Sequence, residues 1–364
     1  MIRLRRGVVT TLGAARPGAL ELEVELDGRS EPAIAYPALV GTVQLGDTVI
    51  VNTTAVGLGL GTGGVHLVVA VEGRQVDHPG PGRVVKGRYL PHQIALSSVE
   101  ETHRDLLEGS HGLRQTPVVC APLHSMVAAV AAGAKRAGAG GKVVYVMTDG
   151  AALAGGFSRL VPLLRDAGLL DGWITCGQAF GGELEAVTVW TGMLAAVEIL
   201  GAEVVVVADG PGNLGTDTTW GVSALGGGNA LNAAHTLGGK PVPSLRLSFA
   251  DPRPRHRGLS HHSITLLRDV CKVEVNVPVP TLPDEDQRAA VWDALRSAKL
   301  EEIHHLVETD GQPAVDELRD RGVHVTSMGR GPQDDPAFWL AAGAAGVLAG
   351  RMAALNRKWG PPSS

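Results

Sequence analysis

Four consecutive valines, Val204–Val207, lie between Glu203 and Ala208 with no polar residue among them. A strand that is apolar at every position buries both of its faces, which an antiparallel sheet open to water on one side does not offer. Similar runs occur at Pro117–Ala121, Lys142–Met147, Gly172–Cys176 and Ser244–Phe249, and helix-compatible segments separate them. These include Met126–Ala137, Phe157–Ala167 and Glu183–Leu200. The alternation predicts an α/β unit with a mostly parallel, doubly wound, Rossmann-like sheet over residues 116–364. Further expected elements are a strand at Val270–Val279, helices near Gln287–Leu306 and Ala314–Arg321, a strand at Val323–Ser327 and a last helix.

Residues 1–85 follow a different period. Leu20 to Leu26 alternates apolar and acidic positions and ends at the turn Asp27-Gly28, the pattern of a half-buried strand. Short strands between glycine turns predict a smaller all-β, barrel-like domain. Pro79-Gly80-Pro81-Gly82 marks its end, and residues 86–115 read as a linker. Hydrophobic residues make up 44% of the 364, enough for a core, so a disordered chain is excluded.

The formal net charge of −5 gives no general attraction to nucleic acid or an anionic membrane surface. Neither partner is expected. The three cysteines, Cys120, Cys176 and Cys271, have no paired spacing, which fits a cytoplasmic protein without a disulfide framework. Ala337–Leu355 is the one membrane-like stretch. Its apolar character comes largely from alanine and glycine, so a buried helix at a core or subunit interface is the preferred reading, and a homo-oligomer, most simply a homodimer, is expected.

Four loops that follow predicted strands could carry chemistry, because ligands of open parallel sheets bind outside the carboxyl strand ends. The first, Thr148–Gly156, offers Asp149 as a nucleophile, general base or metal ligand, or equally as a turn residue. The second, Cys176–Glu183, offers Gln178 as a ligand contact; Cys176 reads as a packed thiol. The third, Asp209–Thr218, holds Asp209, Gly210, Gly212 and Thr216 in a G-x-G-x-x-G pattern, which suits an anion or phosphate loop. The same pattern recurs at Gly59–Gly64, and no ribose-binding acid follows at the proper distance, so a standard dinucleotide site is disfavoured.

The fourth loop is the densest. Asp251-Pro252-Arg253-Pro254-Arg255-His256-Arg257-Gly258-Leu259-Ser260-His261-His262 brings three arginines and three histidines together. Arg253, Arg255 and Arg257 suit phosphate or carboxylate, and His256, His261 and His262 suit proton transfer or metal ligation. Only one of the adjacent His261 and His262 is expected to face the site with His256. Asp251, His256 and one of that pair could hold a metal, though the spacing matches no standard zinc signature. No cofactor is specified. His124 reads as a packed residue.

These loops, together with Asn52-Thr53-Thr54-Ala55 and Leu60-Gly61-Thr62-Gly63-Gly64, resemble an uncharacterised bacterial family known only as a domain of unknown function. The residues that carry the likeness are Thr148-Asp149-Gly150-Ala151, Gln178-Ala179-Phe180-Gly181-Gly182, Gly210-Pro211-Gly212 with Gly215-Thr216, and above all Arg255–His262. The resemblance spans nearly the whole chain and implies no activity. Asp217 stands where the family pattern leads one to expect glycine. From the residues themselves, the leading expectation is a hydrolase or group transferase acting on a small anionic metabolite, with phosphorylated and nucleotide-like compounds among the candidates. The alternative is a non-catalytic ligand-sensing or assembly protein.

Overall fold

The computed structural model describes residues 2–59, 64–77 and 82–359. The expected linker Pro79–Gly82 and the recurrence at Gly59–Gly64 therefore fall largely outside the described residues. Strands β1 (Leu4–Arg16), β2 (Ala19–Leu26), β3 (Arg29–Ala35), β4 (Thr48–Asn52) and β5 (His66–Val71) close into a barrel in the order β1-β2-β3-β5-β4. The alternation in β2 is realised: Leu22, Val24 and Leu26 fill the barrel, while Glu23 and Glu25 face water.

Residues 86–115 are more than a connector. A hairpin, β6 (Val84–Lys86) and β7 (Ile94–Leu96), opens this stretch, and two short helical turns follow. The Lys86 side chain is only 1% exposed. Its Nζ donates to Glu185 Oε2 at 2.7 Å and to the carbonyls of Ala179 at 2.6 Å and Thr175 at 3.3 Å.

The second part is built on six strands: β8 (Pro117–Cys120), β9 (Val143–Thr148), β10 (Gly172–Cys176), β11 (Leu184–Ala186), β12 (Val204–Asp209) and β13 (Lys240–Pro243). Every pairing among them is parallel, in the order β11-β10-β9-β12-β8-β13. This order differs from the one typical of dinucleotide-binding sheets. The valine strand β12 lies inside the sheet and feeds both cores. Val205 and Val207 pack with Val144 and Ile174, whereas Val204 and Val206 pack with Tyr145 and Met147 on the other face.

Helices α1 (Met126–Ala137), α2 (Leu160–Asp166), α3 (Val189–Glu198), α4 (Gly226–Thr236), α5 (His261–Thr265), α6 (Glu285–Ser297), α7 (Gln312–Asp320) and α8 (Pro336–Trp359) complete the fold. Helices α1 and α8 share one core with the sheet, and α3 and α4 share the other. Small strand pairs, β14 (Leu247–Ser248) with β15 (Gly258–Leu259) and β16 (Asn276–Pro280) with β17 (His305–Thr309), flank them.

Four expectations change. The run Ser244–Phe249 does not join the parallel sheet; only Leu247–Ser248 is a strand, and it pairs antiparallel with Gly258–Leu259. The helix expected from Glu183 begins only at Val189, because Leu184–Ala186 pairs along β10 as an edge strand. Thr188 then caps α3, its Oγ1 accepting from Thr191 N at 3.2 Å. The strand expected at Val270–Val279 is confined to β16. Residues 323–327 form no ladder; Ser327 makes only an isolated bridge to Arg330.

The apolar C-terminal helix is long enough to cross a membrane, yet 72% of its apolar window is buried inside the protein. Its small residues explain why. A Cβ on Gly346 would lie 2.1 Å from the Val130 carbonyl oxygen, and one on Gly350 2.6 Å from that of Ala134. Helices α1 and α8 thus meet backbone to backbone, an approach only glycine permits here.

Candidate functional site

A cavity of about 730 Å³ opens beside the carboxyl ends of β8 and β12. Its volume suits a small metabolite. The loop after β8 supplies Pro122–Ser125, the loop after β12 supplies Pro211–Thr216, and the region 246–266 supplies Arg246, Arg253, Arg255, His256 and His262. Ser327 and Met328 close one side. Gly212, Thr216 and the His/Arg loop, remote in sequence, therefore share one rim.

Not every candidate reaches it. Asp149 is exposed and outside the lining; its Oδ2 accepts from Gln178 N at 2.8 Å. Gln178 in turn accepts at Oε1 from Gly87 N at 2.9 Å. These two residues join the loops after β9 and β10 to the hairpin segment. Arg257 is exposed and also outside the lining.

Asp209 acts from beneath the rim. One carboxylate oxygen accepts from Thr148 Oγ1 at 2.6 Å and Gly150 N at 3.1 Å, and the other accepts from Asn213 Nδ2 at 3.1 Å. A Cβ on Gly150 would come within 2.5 Å of that carboxylate, so glycine is needed for the contact. Ala152 N adds a bond to Pro211 O at 3.0 Å. Asp209 thus pins the loops after β9 and β12 together instead of facing a ligand. Gly210 packs against Met147, whereas Gly212 turns the chain with φ of 85° at an open position. The Thr216 hydroxyl is engaged in its own turn, with Thr218 Oγ1 at 2.8 Å and Gly221 O at 3.0 Å.

The His/Arg loop supplies the strongest electrostatics. Asp251 is 1% exposed and holds Arg253 by two parallel bonds, 2.9 Å to Nε and 2.7 Å to a terminal nitrogen. The Arg253 guanidinium keeps the Asp251 carboxyl far below its ordinary pKa. Arg246 lies 3.6 Å from the same carboxylate and is 9% exposed. Burial, then the nearby Arg253 cation, lowers its pKa to about 10. Arg255 pairs with Asp217 at 2.6 Å, so the acid at the unexpected position ties the third loop to the fourth. Three guanidiniums against two carboxylates leave one positive charge at the cavity wall.

His256, His261 and His262 form a cluster. Both members of the adjacent pair have ring centroids 5.4 Å from His256, and the pair itself is 3.9 Å apart. Of the pair, His262 lines the cavity with His256 and His261 does not, although both rings stand beside His256. Both occupy the first turn of α5, where side chains lean back toward the helix N-terminus and so toward the preceding loop. Ser260 Oγ bonds His256 Nδ1 at 2.9 Å and fixes that ring. Burial, reinforced by neighbouring cations, lowers His256 to about 3 and His262 to about 4, and lowers His261 as well. His256 and His262 are therefore neutral near pH 7. The Thr218 backbone draws His262 slightly upward, but neither ring nitrogen of His262 is in hydrogen-bonding geometry with it.

Sequence reasoning missed Arg246, although a charge inside the apolar run Ser244–Phe249 was a signal for it. It also missed Asn213, whose amide donates to Pro122 O, Asp209 Oδ2 and Ser223 Oγ at 3.1–3.3 Å. His124 is packed, as expected, yet touches the cavity. Its Nδ1 meets Tyr145 Oη at 3.1 Å and its Nε2 meets Ser158 Oγ at 2.8 Å. Burial lowers its pKa to about 4. An unfolded histidine takes its proton near 6.5, so the unfolded state binds more protons between those values. Stability contributed by neutral His124 is therefore lost as pH falls from about 6.5 toward 4. Urea midpoints at pH 7 and pH 5 should differ, and less so in His124→Asn.

A second cavity of about 500 Å³ shares His124, Arg159, Leu160 and Pro211 with the first, and its other wall comes from the barrel, including Arg16 and Ile34. Glu21 of β2 accepts from Arg159 Nε at 2.7 Å, which joins the barrel to this rim.

A family model described as a protein of unknown function (DUF3866) matches residues 32–346. The chain belongs to this family. The DUF3866 match runs from within the barrel into the first half of α8 and contains every residue of the cavity wall. No curated protein matches the chain.

Proposed function

We propose that this DUF3866 protein is an enzyme, a hydrolase or group transferase, that acts on a small anionic metabolite, phosphorylated or nucleotide-like. The observation that carries the reading is the meeting of Arg246, Arg253 and Arg255 with the uncharged His256 and His262 on the wall of one cavity. Guanidiniums bind phosphate or carboxylate oxygens bidentately. The exposed turn at Gly212 supplies another part of the rim, and the imidazoles supply nitrogen lone pairs beside the bound anion. In this reading Asp209 and Asp149 are positioning residues that hold the loops, and Gln178 works with Asp149. Helices on both sheet faces support a doubly wound, Rossmann-like reading of the larger unit, in which a strand-end crevice is the expected ligand site.

A ligand sensor is the second reading, favoured by the Glu21–Arg159 link between the barrel and the cavity rim. A thermal-shift screen of phosphate esters, nucleotides and dicarboxylates, followed by product analysis of the hits, separates the two. Saturating ligand at 100 Kd should stabilise by about 2.7 kcal/mol. Stabilisation with turnover supports the enzyme, and stabilisation without turnover supports the sensor. No stabilisation by any anion contradicts both.

A further inference from the structure

We infer that His256, His261 and His262 form a three-histidine site for a divalent transition-metal ion, zinc being the representative case, with its open coordination facing the 730 Å³ cavity. The inference rests on the proposed anion site and names the group that would sit beside the anion.

The argument begins with convergence. One ligating atom from each ring lies within 4.8 Å of the others. A tetrahedral ion with nitrogen ligands at about 2.0–2.1 Å holds them about 3.3 Å apart, so modest ring rotations would close the set. Three buried ring nitrogens, His261 Nε2 and both nitrogens of His262, have no hydrogen-bond partner among the described residues. Leaving buried polar atoms unpaired is costly. A metal ion would satisfy one on each of these two histidines.

The surroundings fit ligation as well. Ser260 occupies His256 Nδ1, which leaves Nε2 for the ion; such a bond on the far nitrogen orients ligating histidines in general. Uncharged nitrogen donors select zinc and similar ions over magnesium or calcium, which prefer oxygen. The arginines oppose a cation, but Asp251 and Asp217 offset most of their charge. The remaining positive charge and the ion would together favour an anionic guest. Three protein ligands with an open position is the pattern of a catalytic zinc site, where a bound water becomes more acidic.

The test titrates metal-stripped, full-length protein with Co²⁺ and Zn²⁺. Expected are one equivalent bound with micromolar or tighter affinity and the intense visible bands of tetrahedral cobalt. His256→Ala and His261→Ala should each weaken binding at least tenfold, while His235→Ala, on the distant helix α4, should not. If the buried His256 variant fails to fold, the half-buried His261 variant decides. Arg246→Met separates this inference from the reading beneath it: that variant should keep the metal and lose pyrophosphate. Absence of cobalt bands, or binding unchanged in the folded histidine variants, overturns the metal site. Pyrophosphate binding that persists in the same samples would leave the anion site standing.

Discussion

Glu185→Ala should destabilise the protein by about 3–5 kcal/mol, because it leaves the ammonium of Lys86 buried without its counter-charge. Few single changes in this fold are expected to cost as much. Glu185 is 7% exposed and its carboxylate is fully used. One oxygen accepts from Lys86 Nζ and Thr175 Oγ1, each at 2.7 Å, and the other from Gly181 N at 2.7 Å. After truncation the ammonium would retain only two carbonyls. Lys86→Met should cost less, since Thr175 and Gly181 still satisfy the carboxylate. The double variant Lys86→Met/Glu185→Leu should recover much of the loss, because apolar replacements of a buried pair are often neutral. Urea unfolding of the three variants measures this. A cost for Glu185→Ala below about 1 kcal/mol would show that the pair is not buried as described.

Arg246→Met should have opposite signs for binding and for stability. Affinity for pyrophosphate should fall on the order of a hundredfold, equivalent to about 3 kcal/mol for a charge-assisted contact in a desolvated wall. Stability should stay level or rise. The guanidinium is nearly buried, stands 3.6 Å from an Asp251 carboxylate that Arg253 already holds, and has a lowered pKa, so the folded state pays for its charge. Conflict of this kind between stability and activity is typical of functional sites. Calorimetric titration beside thermal denaturation reads both quantities. Parallel loss of stability and binding would mean that Arg246 supports the fold and not the ligand.

Much of this architecture is legible in the residues, and the reason is periodicity. The unbroken valines of β12 require two buried faces, and the alternating acids of β2 require one. Where periodicity is weak the reading fails. Leu184–Ala186 is too short to signal a strand and joins the sheet only because β10 offers it an edge. Lys86 lies in what reads as a linker, because nothing local announces that Glu185, ninety-nine positions away, will pair with it. At the site, charge density draws attention to the 251–262 loop, and the structure gathers most of it at one cavity. Asp149 and Gln178 carry the same kind of signal but hold loops instead of lining the cavity. Their side chains choose partners across strands, and that choice depends on a sheet order which local sequence does not encode. Arg246 is hidden for the opposite reason, since a strand-like run conceals a charge that only the fold places on a wall.

The most direct test of the central claim is a carbon–proton NMR titration of the histidine Cε1 signals with pyrophosphate. His256, His261 and His262 should shift together and saturate at one equivalent, while His92, His111 and His235 stay in place. Pyrophosphate that leaves the three signals unmoved, or moves all six alike, would contradict a single cavity in which guanidiniums and imidazoles receive the same anion.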